Sequence, residues 1–340
     1  MNNRLLRKPA CMIAMMVMFC LLLSACGSSA APTASSGTAT TTESGTDTST
    51  TAATDTSATR TIDTAKGKIT IPTNPQRIVS TYYHGTLLAL GLKPVAANKE
   101  WWMGSPFLKE QEQGIEDIGA PTSMEKVISL NPDLIVINDF DVEAYDQFSK
   151  IAPTLYVPYN AYNNPKEEIQ LFGKLLGREQ QAQAWLTQYD EAANAAREKI
   201  KDVVKPGETA VLINVRDKDI SILGDNYGRG GYALYDGLQL KPLDNVQKEV
   251  IDSGKQILSI QLESLPEYAN ADHIFICFND GTTEAQKDAV LNSSIWKNLP
   301  AVQSGQVYDL PYDTFSFYDP ASIVGQIGLL ADMIVDKNKQ

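Results

Sequence analysis

Aromatic and basic side chains recur together at several points along this chain: Tyr82, Tyr83 and His84; Lys99, Trp101 and Trp102; Phe140; Arg216; Tyr227 and Arg229; and Thr314 to Tyr318, which includes Phe315. Flat rings stack on apolar or planar surfaces, while arginine and lysine donate to oxygen. Such a set can grip a bulky molecule without transforming it. Arg229 is the strongest single candidate, because Gly228, Gly230 and Gly231 let the backbone come close while the guanidinium fork points outward. Catalytic signatures are missing: the sequence has no Gly-x-Ser-x-Gly elbow, no His-Glu-x-x-His and no phosphate loop. A zinc or manganese site needs several converging His and carboxylate ligands. The chain has two histidines, and His273 opens an apolar strand, so His84 would stand alone and no metal site is expected.

These residues need a scaffold, and the longest helical pattern, Arg178 to Val204, organises it. Ala182, Trp185, Leu186, Tyr189, Ala193, Ala196, Ile200 and Val203 follow the spacing of one buried helical face. Gly177 closes the shorter amphipathic segment before it, and Pro206-Gly207 stops the long one. At about 1.5 Å per residue the helix would be roughly 40 Å long, a rigid strut between two lobes. Before it, a hairpin over Ile62 to Ile71 precedes short apolar strands at Arg77 to Thr81, Val95 to Ala97, Leu134 to Asn138 and Thr154 to Val157, alternating with helices. That alternation predicts a parallel sheet covered on both faces. After the strut, strands are expected at Thr209 to Val215, Ile220 to Leu223, His273 to Phe278 and Gln306 to Leu310, with a closing helix from about Pro320 to Lys337. The two flanks look like weak repeats: Glu125 and Glu263 each open a short helix that leads, through Asn131-Pro-Asp133 or Asn270-Ala-Asp272, into a strand. The next strands end alike, at Tyr156-Val-Pro-Tyr159 and Tyr308-Asp-Leu-Pro-Tyr312. The predicted fold is therefore α/β, two Rossmann-like lobes (60–164 and 206–340) joined through connecting helices over 165–205 by one long rigid helix, with the ligand cleft between the lobes.

The N-terminus belongs to export. Arg4, Arg7 and Lys8 precede an apolar run from Ala10 to Leu23, which ends at Leu23-Ser-Ala-Cys26. Residues 1–25 thus read as a signal peptide, too short for a spanning helix. Residues 26–59 are almost all Ser, Thr, Ala, Gly, Asp and Glu, and are expected to form a disordered tether spanning roughly 30 Å. Loss of three positive charges with the signal takes the formal net charge from −12 to −15, a surface that repels nucleic acid. Cys11 and Cys20 leave as well, and Cys277 sits in an apolar run, so no intrachain disulfide is expected.

The end of the signal resembles the lipobox of bacterial lipoproteins, which implies cleavage before Cys26 and lipidation of its sulfur. Together with the tether, Pro75-Gln-Arg-Ile-Val-Ser80, Ser123 to Ile135, Lys150 to Tyr156, the central helix and Leu262 to Phe275, it resembles the helical-backbone class of ABC-transporter substrate-binding proteins. The likeness runs from about residue 60 to the end and is nearest the siderophore, haem and vitamin B12 group. It implies a two-lobed clamp that captures a ferric chelate and delivers it to a membrane permease with its ATPase. Asn226 to Gly231 is similar to the aromatic-Gly-Arg-Gly segment of ferric-hydroxamate receptors, with Tyr227 where Trp is common. In that group matching glutamates dock on permease arginines, which implies that role for Glu125 and Glu263.

The resemblance further implies a monomer lipid-anchored to the outer face of the cytoplasmic membrane, with no cofactor beyond the lipid on Cys26. Tricatecholate iron carries three negative charges and would meet several basic groups, whereas trishydroxamate iron is neutral or cationic and can be held by rings and one arginine. Rings outnumber basic residues in the candidate loops, which favours hydroxamate. A basic cluster of Lys99, Arg216 and Arg229 would instead suit catecholate, and rings would also suit cobalamin or haem. An extracytoplasmic enzyme, or a sensor or adhesion lipoprotein that merely keeps the fold, is the alternative of a different class.

Overall fold

The structure, a computed structural model, describes residues 58–217 and 219–339. The signal peptide, Cys26 and the tether up to residue 57 lie outside the described residues. Among the described residues an antiparallel hairpin comes first, β1 (Thr59–Thr64) and β2 (Gly67–Pro72), its first strand starting one residue before the expected lobe boundary at 60. Arg60 from this hairpin donates to the carbonyls of Lys174 (2.6 Å) and Leu175 (2.7 Å). It thereby caps the end of the helix Pro165–Leu176, whose last carbonyls have no intrahelical partner.

Five parallel strands form the N-terminal sheet: β3 (Ile78–Ser80), β4 (Ala96–Ala97), β5 (Glu116–Asp117), β6 (Leu134–Ile137) and β7 (Thr154–Tyr156), in the order β5-β4-β3-β6-β7. Every residue of β3 and β6 is buried, as a sheet covered on both faces requires. Ile78, Leu134 and Val136 face the strut, while Val79, Ile135 and Ile137 pack on the opposite side with Val127 and Phe148. The chain moves from β3 out to β5 and then returns to β6, so the strand order reverses between β3 and β6. Crevices open at the carboxyl ends of strands at such a reversal.

The strut runs from Glu179 to Ile200, and residues 201–204, expected to be helical, instead turn back on the Ile200 carbonyl. Its buried residues are Ala182, Trp185, Tyr189, Ala193, Ala196 and Ile200, the apolar stripe that the spacing predicts. The closing helix Pro320–Lys337 lies along it, and the Trp185 indole donates to the Pro320 carbonyl at 3.1 Å. The same helix reaches the N-terminal lobe, where Ser322 Oγ meets Ser105 Oγ at 2.7 Å. One apolar core continues from Ile78 and Leu134 past Trp185 and Tyr189 to Leu212 and Phe275. The lobes are thus welded along two helices and a shared core rather than hung on one.

The C-terminal sheet contains β8 (Thr209–Arg216), β9 (Asp219–Leu223), β10 (Lys241–Pro242), β11 (Ile257–Ile260), β12 (His273–Phe278) and β13 (Val307–Asp309). Its path is β11-β9-β8-β12-β13, with β10 beside the start of β8. Strands β8, β10, β12 and β13 are parallel, but β9 turns back antiparallel to β8 and β11 antiparallel to β9. The turn between β8 and β9 uses Asp217 at φ 54°, a left-handed position that Asp tolerates. After β9 the chain makes a wide π-type turn over Ala233–Gly237.

Candidate functional site

Four strand ends of the N-terminal sheet each present a ring. Tyr82 follows β3, Trp101 and Trp102 follow β4, Phe140 follows β6 and Tyr159 follows β7. They form one cluster. The Tyr82 ring lies edge-on to Trp102 (4.6 Å between centroids) and to Tyr159 (5.3 Å), and Trp102 stacks on Phe140 at 5.5 Å. Local turns fix them: Asn98 caps the helix Lys99–Trp102 by accepting from the Trp101 amide, and Asn138 accepts from the Phe140 amide. Asp139 accepts from the Tyr159 amide at 2.7 Å. Phe140 is 59% exposed and Trp101 49%, although such large rings are usually covered. Ser80 Oγ, Thr81 Oγ1 and Asn138 Nδ2, buried at the ends of β3 and β6, have no protein partner.

At the matching place in the C-terminal lobe stands Arg229, at φ 77° and only 6% exposed. Its Nε donates to Asn214 Oδ1 (3.2 Å), Nη2 to Asn279 Oδ1 (3.3 Å) and Nη1 to the Ser316 carbonyl (3.4 Å). Tyr312 covers the guanidinium, its ring centre 4.4 Å from Cζ, and Tyr227 stands at 5.6 Å. Asn214 is near the end of β8, Asn279 follows β12 and Tyr312 follows β13, so this corner too is made of strand ends. Gly228 is required here, since a Cβ would collide with the Ser316 carbonyl. Tyr318 donates to the Asp225 carbonyl at 3.0 Å.

Glu168 is 4% exposed and accepts from the Thr86 hydroxyl. Burial pushes its carboxyl up to about 8, and Asp319, at the head of the closing helix, adds to the shift against the Thr86 hydrogen bond. Burial chiefly, with the Glu168 charge among the smaller causes, also raises the phenols of Tyr82, Tyr159 and Tyr318. Rings of both lobes therefore sit within electrostatic reach of a single buried carboxyl.

Several expected site residues fall elsewhere. Tyr83 is 1% exposed and packs on Phe172 at 4.7 Å, its hydroxyl bound to the Val157 carbonyl at 2.9 Å. His84 begins the helix His84–Ala89 and is buried, with Nε2 2.9 Å from Glu112 Oε1. Phe315 is fully buried under Gly230, contributing its carbonyl to the Arg229 amide but no ring surface. Arg229 itself points inward, not outward, because Asn214 and Asn279 hold it. Lys99 lines a separate cavity of about 320 Å³ with Met103, Gly104, Lys109 and Glu112. Arg216 is exposed at the end of β8, and forms no bond to the Arg229 corner.

Two residues that the expected set lacks are Tyr159 and Tyr312, the last residues of the two repeated strand endings. Their equivalence was the signal available. Glu125 and Glu263 are both exposed, one in the helix Met124–Ser129 and the other in the turn Leu262–Ser264. Cys277 is buried, and burial raises its thiol to about 12, as an inert core residue requires. No cluster of potential metal ligands occurs among the described residues.

Comparison with known proteins gives the same outline. Residues 78–314 match the periplasmic binding protein family. The iron(3+)-hydroxamate-binding protein YxeB of Bacillus subtilis is 34% identical over 337 residues, covering 98% of this chain and 99% of that protein. A crystal structure of a FhuD fold-family periplasmic binding protein, a component of a Fep/Fec-like ferrichrome ABC transporter from B. subtilis, superposes with TM-score 0.72 at 36% identity, covering 80% of this chain and 99% of that one. FhuD2 of Staphylococcus aureus with bound ferrioxamine B gives 0.66 at 29% identity, covering 77% and 99%.

Proposed function

The chain belongs to the periplasmic binding protein family, and on that premise we propose that it captures a ferric siderophore of the trishydroxamate type outside the cytoplasmic membrane and hands it to an ABC permease. It is a binding protein and not an enzyme. The observation that carries the ligand class is the pairing of five mutually packed rings with one arginine whose side-chain hydrogen bonds all go to neutral acceptors. A trianionic tricatecholate would leave most of its charge unmatched in such a site, whereas a neutral chelate with apolar ribs loses little on leaving water. The names of the similar proteins, which bind iron(3+)-hydroxamate or hold ferrioxamine B, support the same class.

The lipobox supports anchoring through Cys26, and no cofactor takes part. Exposure of Glu125 and Glu263 on separate lobes supports docking of a monomer on two permease subunits. Intrinsic fluorescence, with Trp101 and Trp102 as reporters, tests the ligand. A ferric trihydroxamate is expected to quench and saturate at far lower concentration than a ferric tricatecholate, and the reverse order overturns the assignment. Replacing Glu125 and Glu263 together by Ala is expected to leave chelate affinity intact and abolish uptake; uptake at the wild-type rate would refute the docking role.

A further inference from the structure

Arg229 is a buried cation with no acid beside it. Among the described residues it forms no ion pair, and its three polar partners are two side-chain amides and a carbonyl. Burying an unpaired charge is costly, so such a group normally carries a carboxylate. The bonds that it does have are long, 3.2 to 3.4 Å, where a charge-assisted pair closes to about 2.8 Å. Five N–H groups are available on a guanidinium, and three are used here. The bond at Nε is buried and those at the Nη atoms are only partly so, which leaves the unused donors at the accessible end.

Resting on the reading of the site given above, we propose that Asn214 and Asn279 are positioning residues that aim the Arg229 fork while withholding a counter-charge, so that an iron-bound oxygen of the chelate supplies it. Asn and Asp have the same shape, so nothing steric prevents carboxylates at these two places. An aspartate would form the shorter, stronger pair and stabilise the free protein. It would also satisfy the guanidinium before any ligand arrived. Neutral amides fix the direction of the fork, and the Tyr312 face, 4.4 Å away, supports the cation without neutralising it. The corner thus gives up stability in the empty state for charge that is expressed only on binding.

The test compares Asn279→Asp, Asn214→Asp and Asn279→Ser by denaturant unfolding and by fluorescence titration with a ferric trihydroxamate. Both Asp variants are expected to be as stable as the wild type or more so, and to bind about 10-fold more weakly or worse. Asn279→Ser is neutral but too short to hold the fork, and is expected to lose some stability and some affinity, the loss of affinity being clearly smaller than in Asn279→Asp. A merely structural role for the amides would not move stability and affinity in opposite directions. Wild-type affinity in both Asp variants would overturn the proposal, and so would a loss in Asn279→Ser as large as in Asn279→Asp. Should one Asp variant fail to fold, the other decides. If the wild type itself binds no trihydroxamate, the receptor reading fails instead, a result distinct from either.

Discussion

Tyr159 and Tyr312 follow equivalent strands, β7 and β13, yet one ring joins four other rings at the surface while the other covers a buried guanidinium. The N-terminal corner offers area: its rings are large and partly exposed, and they touch chiefly one another. The C-terminal corner offers direction, since Arg229 is held on three sides at fixed angles. Stacking tolerates small changes in a ligand's shape, whereas a fork of donors accepts oxygen at few positions. One lobe can therefore supply most of the contact and the other most of the discrimination.

This division predicts unequal mutational effects. Arg229→Gln removes the buried cation of its corner and is expected to weaken trihydroxamate binding by about 100- to 1000-fold in a fluorescence titration. A loss under about 10-fold would erase the distinction between the corners. Next comes the buried carboxyl of Glu168. Glu168 has a folded-state value of about 8 against 4.5 for a free side chain. Below pH 4.5 both states hold the proton, and between 4.5 and 8 the unfolded chain releases it while the folded chain keeps it. Stability therefore falls as pH rises through that window and stays low above it, the cost reaching about 3 kcal/mol at pH 7. Denaturant unfolding across the window should show this slope in the wild type and a flatter profile in Glu168→Gln; equal slopes would mean that the carboxyl is not confined as described.

Rings should matter less one by one. Trp102→Ala or Tyr159→Ala leaves four neighbours in place and is expected to cost about 10-fold in affinity. The cost should be similar for chelates of different charge, whereas loss of Arg229 should fall hardest on those with the most negative oxygens. A single ring whose removal abolished binding would locate the discrimination in the wrong lobe.

Much of this architecture was legible because it rests on periodicity. The strut shows its buried stripe at helical spacing, and β6, β8 and β12 are apolar runs that only a doubly covered sheet can bury. Strands β5 (Glu116–Asp117) and β10 (Lys241–Pro242) were illegible, since two polar or proline-bearing residues become a strand only by lying beside a neighbour. In the site, the Gly-rich frame of Arg229 was readable, but its inward aim depends on Asn214 and Asn279, which lie 15 and 50 residues away in sequence. Asn214, a polar residue inside the apolar run of β8, was the one local hint.

Which of two adjacent tyrosines serves the ligand is a choice that sequence leaves open and packing makes. Tyr82 and Tyr83 lie 4.9 Å apart ring to ring and nearly perpendicular, so one points to the cluster and the other into the core against Phe172. The Tyr83 hydroxyl satisfies the buried Val157 carbonyl, a bond whose loss is worth about 1 kcal/mol. Tyr83→Phe should accordingly lower unfolding stability by about that amount and leave chelate affinity unchanged. Tyr82→Ala, which removes a ring of the cluster, should weaken binding several-fold. If Tyr83→Phe impaired binding as strongly as Tyr82→Ala, the separation between a ring that supports the site and a ring that forms it would not hold.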